Sequence, residues 1–158
     1  MAEVVSDETL RITVEPQTFV DAHGGPVTGV IFFDLETLQF PSIGWSDFPV
    51  VLVSWWLGAA LQLTSSPKTE RFLEFMDGPY RVSVQSAGAQ DWLLRFIDEH
   101  GSGEVRAEWK GPSRDVVKQL LSSANLIDRT CTAHGWESPD LSKLRQRAND
   151  LRRLGKQR

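Results

Sequence analysis

"GWSDFPVVLVSWWLGAALQL", Gly44 to Leu63, carries three of the chain's six tryptophans. Its reading decides the fold. A bilayer span needs about 20 apolar residues, and the run from Phe48 to Leu63 falls short of that and lacks basic anchors on either side. A shorter apolar run fits the core of a folded domain. Asp47 or Ser46 is placed to cap a helix, and Pro49 suits a first turn, where its missing N–H would be unpaired anyway. Val50, Val53, Trp56, Leu57, Ala60 and Leu61 recur at helical spacing, while Leu52 and Trp55 lie off that stripe. A helix apolar nearly all round is buried on more than one side. The competing reading is a buried strand over Val50–Trp56, because Val and Trp favour strands. Length and the Gly58-Ala59-Ala60 run favour the helix.

Outward from this segment the pattern changes period. Thr9–Val20 and Val27–Leu35 read as a hairpin around the turn cluster Asp21–Pro26, with Pro16 marking an edge or a bulge. Thr69–Met76, Tyr80–Ser86, Gln90–Ile97 and Glu104–Lys110 read as four strands joined by short turns, hence antiparallel neighbours. Tyr80, Val82 and Val84 oppose Arg81, Ser83 and Gln85. Val105, Ala107 and Trp109 oppose Glu104, Arg106, Glu108 and Lys110. Such alternation describes a sheet covered on one face only. A helix opens near Ser113, its expected cap, and stops near His134-Gly135, with Val116, Val117, Leu120, Leu121, Ala124, Ile127 and Cys131 on its apolar stripe. Ser138-Pro139-Asp140 starts another, striped by Leu141, Leu144, Ala148, Leu151 and Leu154. The expected architecture is α+β: one antiparallel sheet of about six strands, with the Trp-rich helix and two C-terminal helices on one face. Trp55 and Trp56 are both expected in the core.

The 158 residues fit a single domain, with residues 1–8 expected to be flexible. Hydrophobic residues at 41% and charged residues at 24% describe a globular chain able to bury a core without a staple. A lone cysteine, Cys131, forms no internal disulfide and fits a reducing cytoplasm. The N-terminus does not read as a secretory signal.

Charge is unevenly placed. Lys143–Arg158 holds seven basic side chains against Asp150, a net +6, which leaves 10 basic and 20 acidic residues, net −10, on the rest. A basic terminal helix (138–158) is first a solvated face suited to the negative end of its own dipole. It could also dock on the acidic body or on another subunit, giving a homodimer. Nucleic-acid binding is disfavoured, because no aromatic residues interleave the cations and the body repels phosphate. Complementary charge favours a basic partner.

No catalytic or cofactor pattern emerges. His23, His100 and His134 sit in separate turn-like regions without ligand spacing. Cys131 lies on an apolar stripe and reads as a small core residue. Gly101-Ser102-Gly103 does not lead from a strand into a helix, so it supports neither a phosphate loop nor a nucleophile elbow. No metal and no cofactor are expected. Two motifs stand out: Gly44-Trp45-Ser46-Asp47-Phe48-Pro49 and Phe75-Met76-Asp77-Gly78-Pro79-Tyr80. In each, an Asp sits among aromatics beside a Pro. The structural reading makes Asp47 a cap and Asp77 a turn residue. The functional reading gathers Trp45, Asp47, Asp77 and Tyr80 at one rim, where aromatics with a polar tip serve as binding anchors. The acidic loop Asp98-Glu99 and the charged strand face Glu104, Arg106 and Glu108 are further candidate partner-binding surfaces. The rival from another class is a small enzyme with a site near Asp47, Asp77 and His100.

The segments "GWSDFPVVLVSWW" and "FMDGPYRVSVQ", followed by an amphipathic helix ending "CTAHGW", resemble small bacterial immunity-type proteins. These are encoded beside polymorphic or contact-delivered toxins. The similarity spans Phe32 to Trp136 and carries over no individual binding residue. It implies a cytoplasmic, non-enzymatic protein that binds a cognate toxin and occludes its active site.

Overall fold

Alternating residues build two sheets, and the Trp-rich helix lies among them. The computed structural model describes residues 3–4, 8–21 and 25–156. Chain order is β1 (Glu3–Val4), β2 (Arg11–Val20), β3 (Thr28–Asp34), β4 (Gln39–Phe40), β5 (Ser46–Asp47), α1 (Pro49–Ser65), β6 (Arg71–Glu74), β7 (Tyr80–Ser86), β8 (Asp91–Asp98), β9 (Glu104–Pro112), α2 (Ser113–His134) and α3 (Pro139–Lys156). The α+β class, the antiparallel pairing of the long strands and the three helices are as the sequence indicates. The number of sheets is not. One sheet runs β1-β9-β8-β7-β6; the other runs β2-β3-β4, with β5 also paired to β3. β1 joins β9 in parallel, the exception to antiparallel pairing. Periodicity marks a strand's two faces but not which sheet it joins. The expected flexible segment falls partly outside the described residues, as does His23.

Packing explains the division. Phe33 of β3 lies 5.5 Å, centroid to centroid, from Phe96 of β8 and 5.1 Å from Trp56 of α1. Phe40 and Phe75 complete this aromatic centre in edge-to-face contacts. Two apolar sheet faces and a helix thus share one core. The larger sheet directs Leu73, Val82, Val84, Leu94, Phe96, Ala107 and Trp109 inward. Arg81, Arg95 and Glu108 sit on its other face, so it is covered on one side, as the alternation requires.

α1 is buried on several sides, with Leu52, Val53, Trp56 and Leu57 all fully enclosed. Trp56 Nε1 donates to the Glu74 carbonyl at 2.8 Å, satisfying the polar edge of a buried indole. Burying such a ring is worth about 2–3 kcal/mol. Trp55 departs from expectation. It is 43% exposed, whereas Leu52, equally off the stripe, is fully enclosed. Pro49 occupies the first turn, but the residue at the cap is Phe48 and no side chain caps it. Ser113 likewise begins α2 as a helical residue, after Pro112 and without a side-chain cap bond. Ser138 does cap α3: its Oγ accepts from Leu141 N–H at 3.1 Å.

Two irregularities redirect side chains. Between Glu15 and Val20, around Pro16, β2 slips its register against β3. Thr18 Oγ1 repairs the ladder, donating to the Glu15 carbonyl and accepting from Val30 N–H. A second slip lies between β8 and β9, where Phe96 faces Ala107 but Ile97 faces Val105. Arg106 is therefore an extra residue. Val105 shares the outer face with Ile97, and Arg106 leaves the row of charges in which simple alternation places it.

α3 docks on its own chain. Leu141, Leu144, Ala148 and Leu151 are buried in the core shared with α1 and α2. Arg147 donates to the Ser54 carbonyl at 2.8 Å and to Ser54 Oγ at 3.1 Å. Arg145 reaches Asp128 at 2.7 Å and Glu137 at 2.9 Å. The bonds to Glu137, then those to Asp128, raise its pKa further above the ordinary arginine value. The apolar stripe of α3 is thus occupied within the chain, and a homodimer through this helix would have to use its polar face. Among the described residues, no helix is long and apolar enough to cross a membrane.

Candidate functional site

The bulge in β9 and the loop before α1 bring most of the expected residues to one rim. Asp47 organises it from beneath. The Asp47 carboxylate is 2% exposed and accepts three hydrogen bonds: from Phe48 N–H at 2.8 Å, Trp45 Nε1 at 3.1 Å and Asp77 N–H at 3.1 Å. It therefore ties the loop before α1 to the turn after β6, and does so as a linker where the sequence suggests a helix cap. Above it, Trp45 meets Tyr80 edge to face at 5.2 Å, and Tyr80 meets His100 at 5.5 Å. Phe40 packs beneath Tyr80 at 5.7 Å. Gly78 makes the close approach possible. Its φ is +83°, and a Cβ there would lie 2.9 Å from the Tyr80 ring and 3.3 Å from Trp45.

The other end of the rim is charged. Asp98, 7% exposed, accepts from His100 N–H at 3.0 Å, and His100 Nδ1 lies 2.6 Å from the same oxygen. Arg106 bonds the second oxygen and also reaches the Pro41 carbonyl. Its guanidinium carbon lies 5.8 Å from the centre of the Tyr80 ring. The Asp98 pKa is lowered, chiefly by the backbone N–H of His100, helped by the His100 side chain and Arg106 and opposed by burial. A carboxyl held in its ionised form by fixed donors orients its neighbours and is a poor proton donor.

Trp45, Asp47, Asp77, Tyr80, Asp98 and Arg106 thus form one assembly, and His100 belongs with them. The remaining candidates lie apart. Glu99 pairs with Arg81, Nε to Oε1 2.7 Å, as a charge contact without an aligned N–H bond. Glu108 faces Arg95 across strands at 3.6 Å. Glu104 is exposed at the start of β9. The charged face is therefore an ion-paired sheet exterior, distinct from the rim.

Sequence reasoning missed two exposed apolar side chains near these elements. Ile43, 78% exposed, precedes Trp45 in the same loop, and Met76, 48% exposed, precedes Asp77. Met76 stands in a motif the sequence singles out, but neither alternation nor helical period marks the exposure of a loop residue. Trp55 lies off the α1 stripe, yet so does the buried Leu52, so that place alone does not mark it.

The residues of the catalytic alternative, Asp47, Asp77 and His100, fall within this assembly. Asp47 accepts three bonds from its own chain, and Asp98 is engaged by His100 and Arg106. Burial pushes the Cys131 thiol up to about 11, aided by nearby Asp128, so it is protonated at neutral pH. Among the described residues, no group of three or more His, Cys, Asp or Glu side chains is placed to hold a metal ion. Comparison with protein-family models, with curated proteins and with solved structures returned no match.

Proposed function

We propose that this chain is a non-enzymatic binding protein of the immunity type, which neutralises a cognate bacterial toxin by seating on it and occluding its active surface. The observation that supports this reading is the rim itself. Trp45, Tyr80 and His100 form a continuous aromatic edge beside the exposed Ile43, and the edge is fixed from behind by Asp47 and Asp98. A rigid aromatic edge loses little conformational freedom on binding, which is what a recognition hot spot needs. A standard interface takes about 800 Å² per partner, which a domain of this size can offer around the rim. The net −4 of the molecule, with 20 of its 21 acidic residues outside Lys143–Arg158, favours association with a basic toxin domain.

Co-expression with the product of the neighbouring gene tests the reading. The expected outcome is rescue of growth and a complex that survives purification. Ile43→Asp, at an exposed position, is expected to weaken that complex about tenfold while leaving thermal melting unchanged; His100→Ala is expected to weaken it likewise and to lower the melting temperature, because it removes a partner of Asp98. No rescue together with no complex removes the proposal.

A further inference from the structure

A second surface lies between the start of α1 and the junction of α2 with α3. There the chain leaves an open groove of about 680 Å³. Its apolar wall is Val51, Trp55, Met76 and Trp136, and three of these come from different elements. Trp55 and Met76 are 43% and 48% exposed, although the core against which they could pack is adjacent. Trp136 is held in place from two sides. Its N–H donates to the Cys131 carbonyl at 2.9 Å, following the left-handed Gly135 that ends α2. Its ring stacks on His134, 4.2 Å between centroids and 11° from parallel.

The groove's charge has one sign. Among the described residues, Asp21, Glu137 and Asp140 line it and no lysine or arginine does. Arg145 compensates Glu137 in part. The start of α3 also opens here, and a free helix N-terminus would attract an anion. That end is already answered by Ser138 Oγ and by Asp140 in the first turn. The C-terminal end of α2 adds partial negative charge. An apolar wall of two indoles and a thioether, edged only by carboxylates, complements a cationic segment with an apolar anchor.

We propose that the Trp55–Met76–Trp136 groove docks a partner segment in which an apolar side chain is flanked by lysine or arginine. The inference rests on the reading of the chain as a binding protein, and it names the chemistry of what is bound. The anchor displaces water from the indoles, and the flanking cations meet Asp21, Glu137 and Asp140.

The test uses the intact ¹⁵N-labelled protein and a short unlabelled peptide of alternating leucine and lysine. A leucine–glutamate peptide and an all-lysine peptide are the controls. The expected result is a shift of the indole N–H signals of Trp55 and Trp136, with those of Trp56, Trp92 and Trp109 unmoved. Binding is expected to weaken as salt screens the carboxylates. Trp55→Lys and Met76→Lys are each expected to raise the dissociation constant at least about tenfold. Both positions face solvent, and either variant alone suffices if the other melts early. The proposal is overturned if neither indole moves, if either control peptide binds as well, or if Trp45 responds in place of Trp55. No toxin enters this measurement. Peptide uptake with neither rescue of growth nor a complex would leave the groove standing and remove the immunity reading; rescue without uptake would do the reverse.

Discussion

At the scale of single residues, the aspartates carry most of the information. Asp47 and Asp98 are both nearly excluded from solvent; Asp47 joins segments 30 residues apart, and Asp98 holds the β8–β9 turn to the bulged Arg106. Asp98 gives a pH prediction whose sign follows from its surroundings. Its pKa is lowered below the ordinary 3.8, so between the two values the unfolded chain binds more protons than the folded one. Its contribution to stability is therefore present above the unfolded value and is lost as pH falls through the folded one. Asp98→Asn is expected to be less stable than the parent at neutral pH, with the gap narrowing below about pH 4. Urea midpoints measured from neutral to strongly acid pH check this, and a gap that stays constant contradicts it. The sequence marked Asp47, Asp77, Tyr80 and Trp45 by their aromatic and proline neighbours, and marked Asp98 by its acidic loop. It did not reveal that Arg106 would join them. That depends on one extra residue in β9, and a bulge leaves no trace in an alternating pattern.

At the scale of elements, α1 shows where periodicity succeeds and where it stops. Helical spacing located Pro49–Ser65 to within a residue or two, and apolar residues on nearly every face foretold burial on several sides. Periodicity gave no sign that Ser54, a polar residue on a buried face, would hold α3 in place. The Arg147 guanidinium donates to both oxygens of Ser54 and lies over Gly58, where a Cβ would sit 3.4 Å from it. Arg147→Ala removes a charged donor from the Ser54 hydroxyl and from the second lone pair of a carbonyl already in the α1 ladder. The expected cost is about 1.5–3 kcal/mol in denaturant unfolding. Arg147→Lys is expected to recover only part of it, since an ammonium lacks the planar fork that reaches both acceptors. Equal stability of the lysine variant and the parent would show that charge alone holds the two helices together.

At the scale of the whole molecule, the opposed charges of body and terminal helix resolve into internal docking. The acidic body binds its own basic helix through Arg145, while the apolar side of α3 closes the core over α1. The division into two sheets was not legible beforehand, because it rests on Phe33 meeting Phe96 across 63 residues of chain. Edge-to-face packing between distant rings has no local sequence pattern. The consequence for stability is direct. Removing residues 139–158 uncovers the face of α1 that Leu141, Leu144, Ala148 and Leu151 protect, and each lost aliphatic contact of this kind is worth about 1.5–3 kcal/mol. Several such losses together approach the whole stability of an ordinary domain, about 5–15 kcal/mol. The truncated chain is expected to keep much of its far-ultraviolet circular dichroism but to melt without a cooperative transition and to bind a hydrophobic dye. If α3 were an appendage serving only to bind a partner, the truncated chain would melt as sharply as the full one. The same pair of melting curves therefore separates a helix that completes the core from one that merely decorates it.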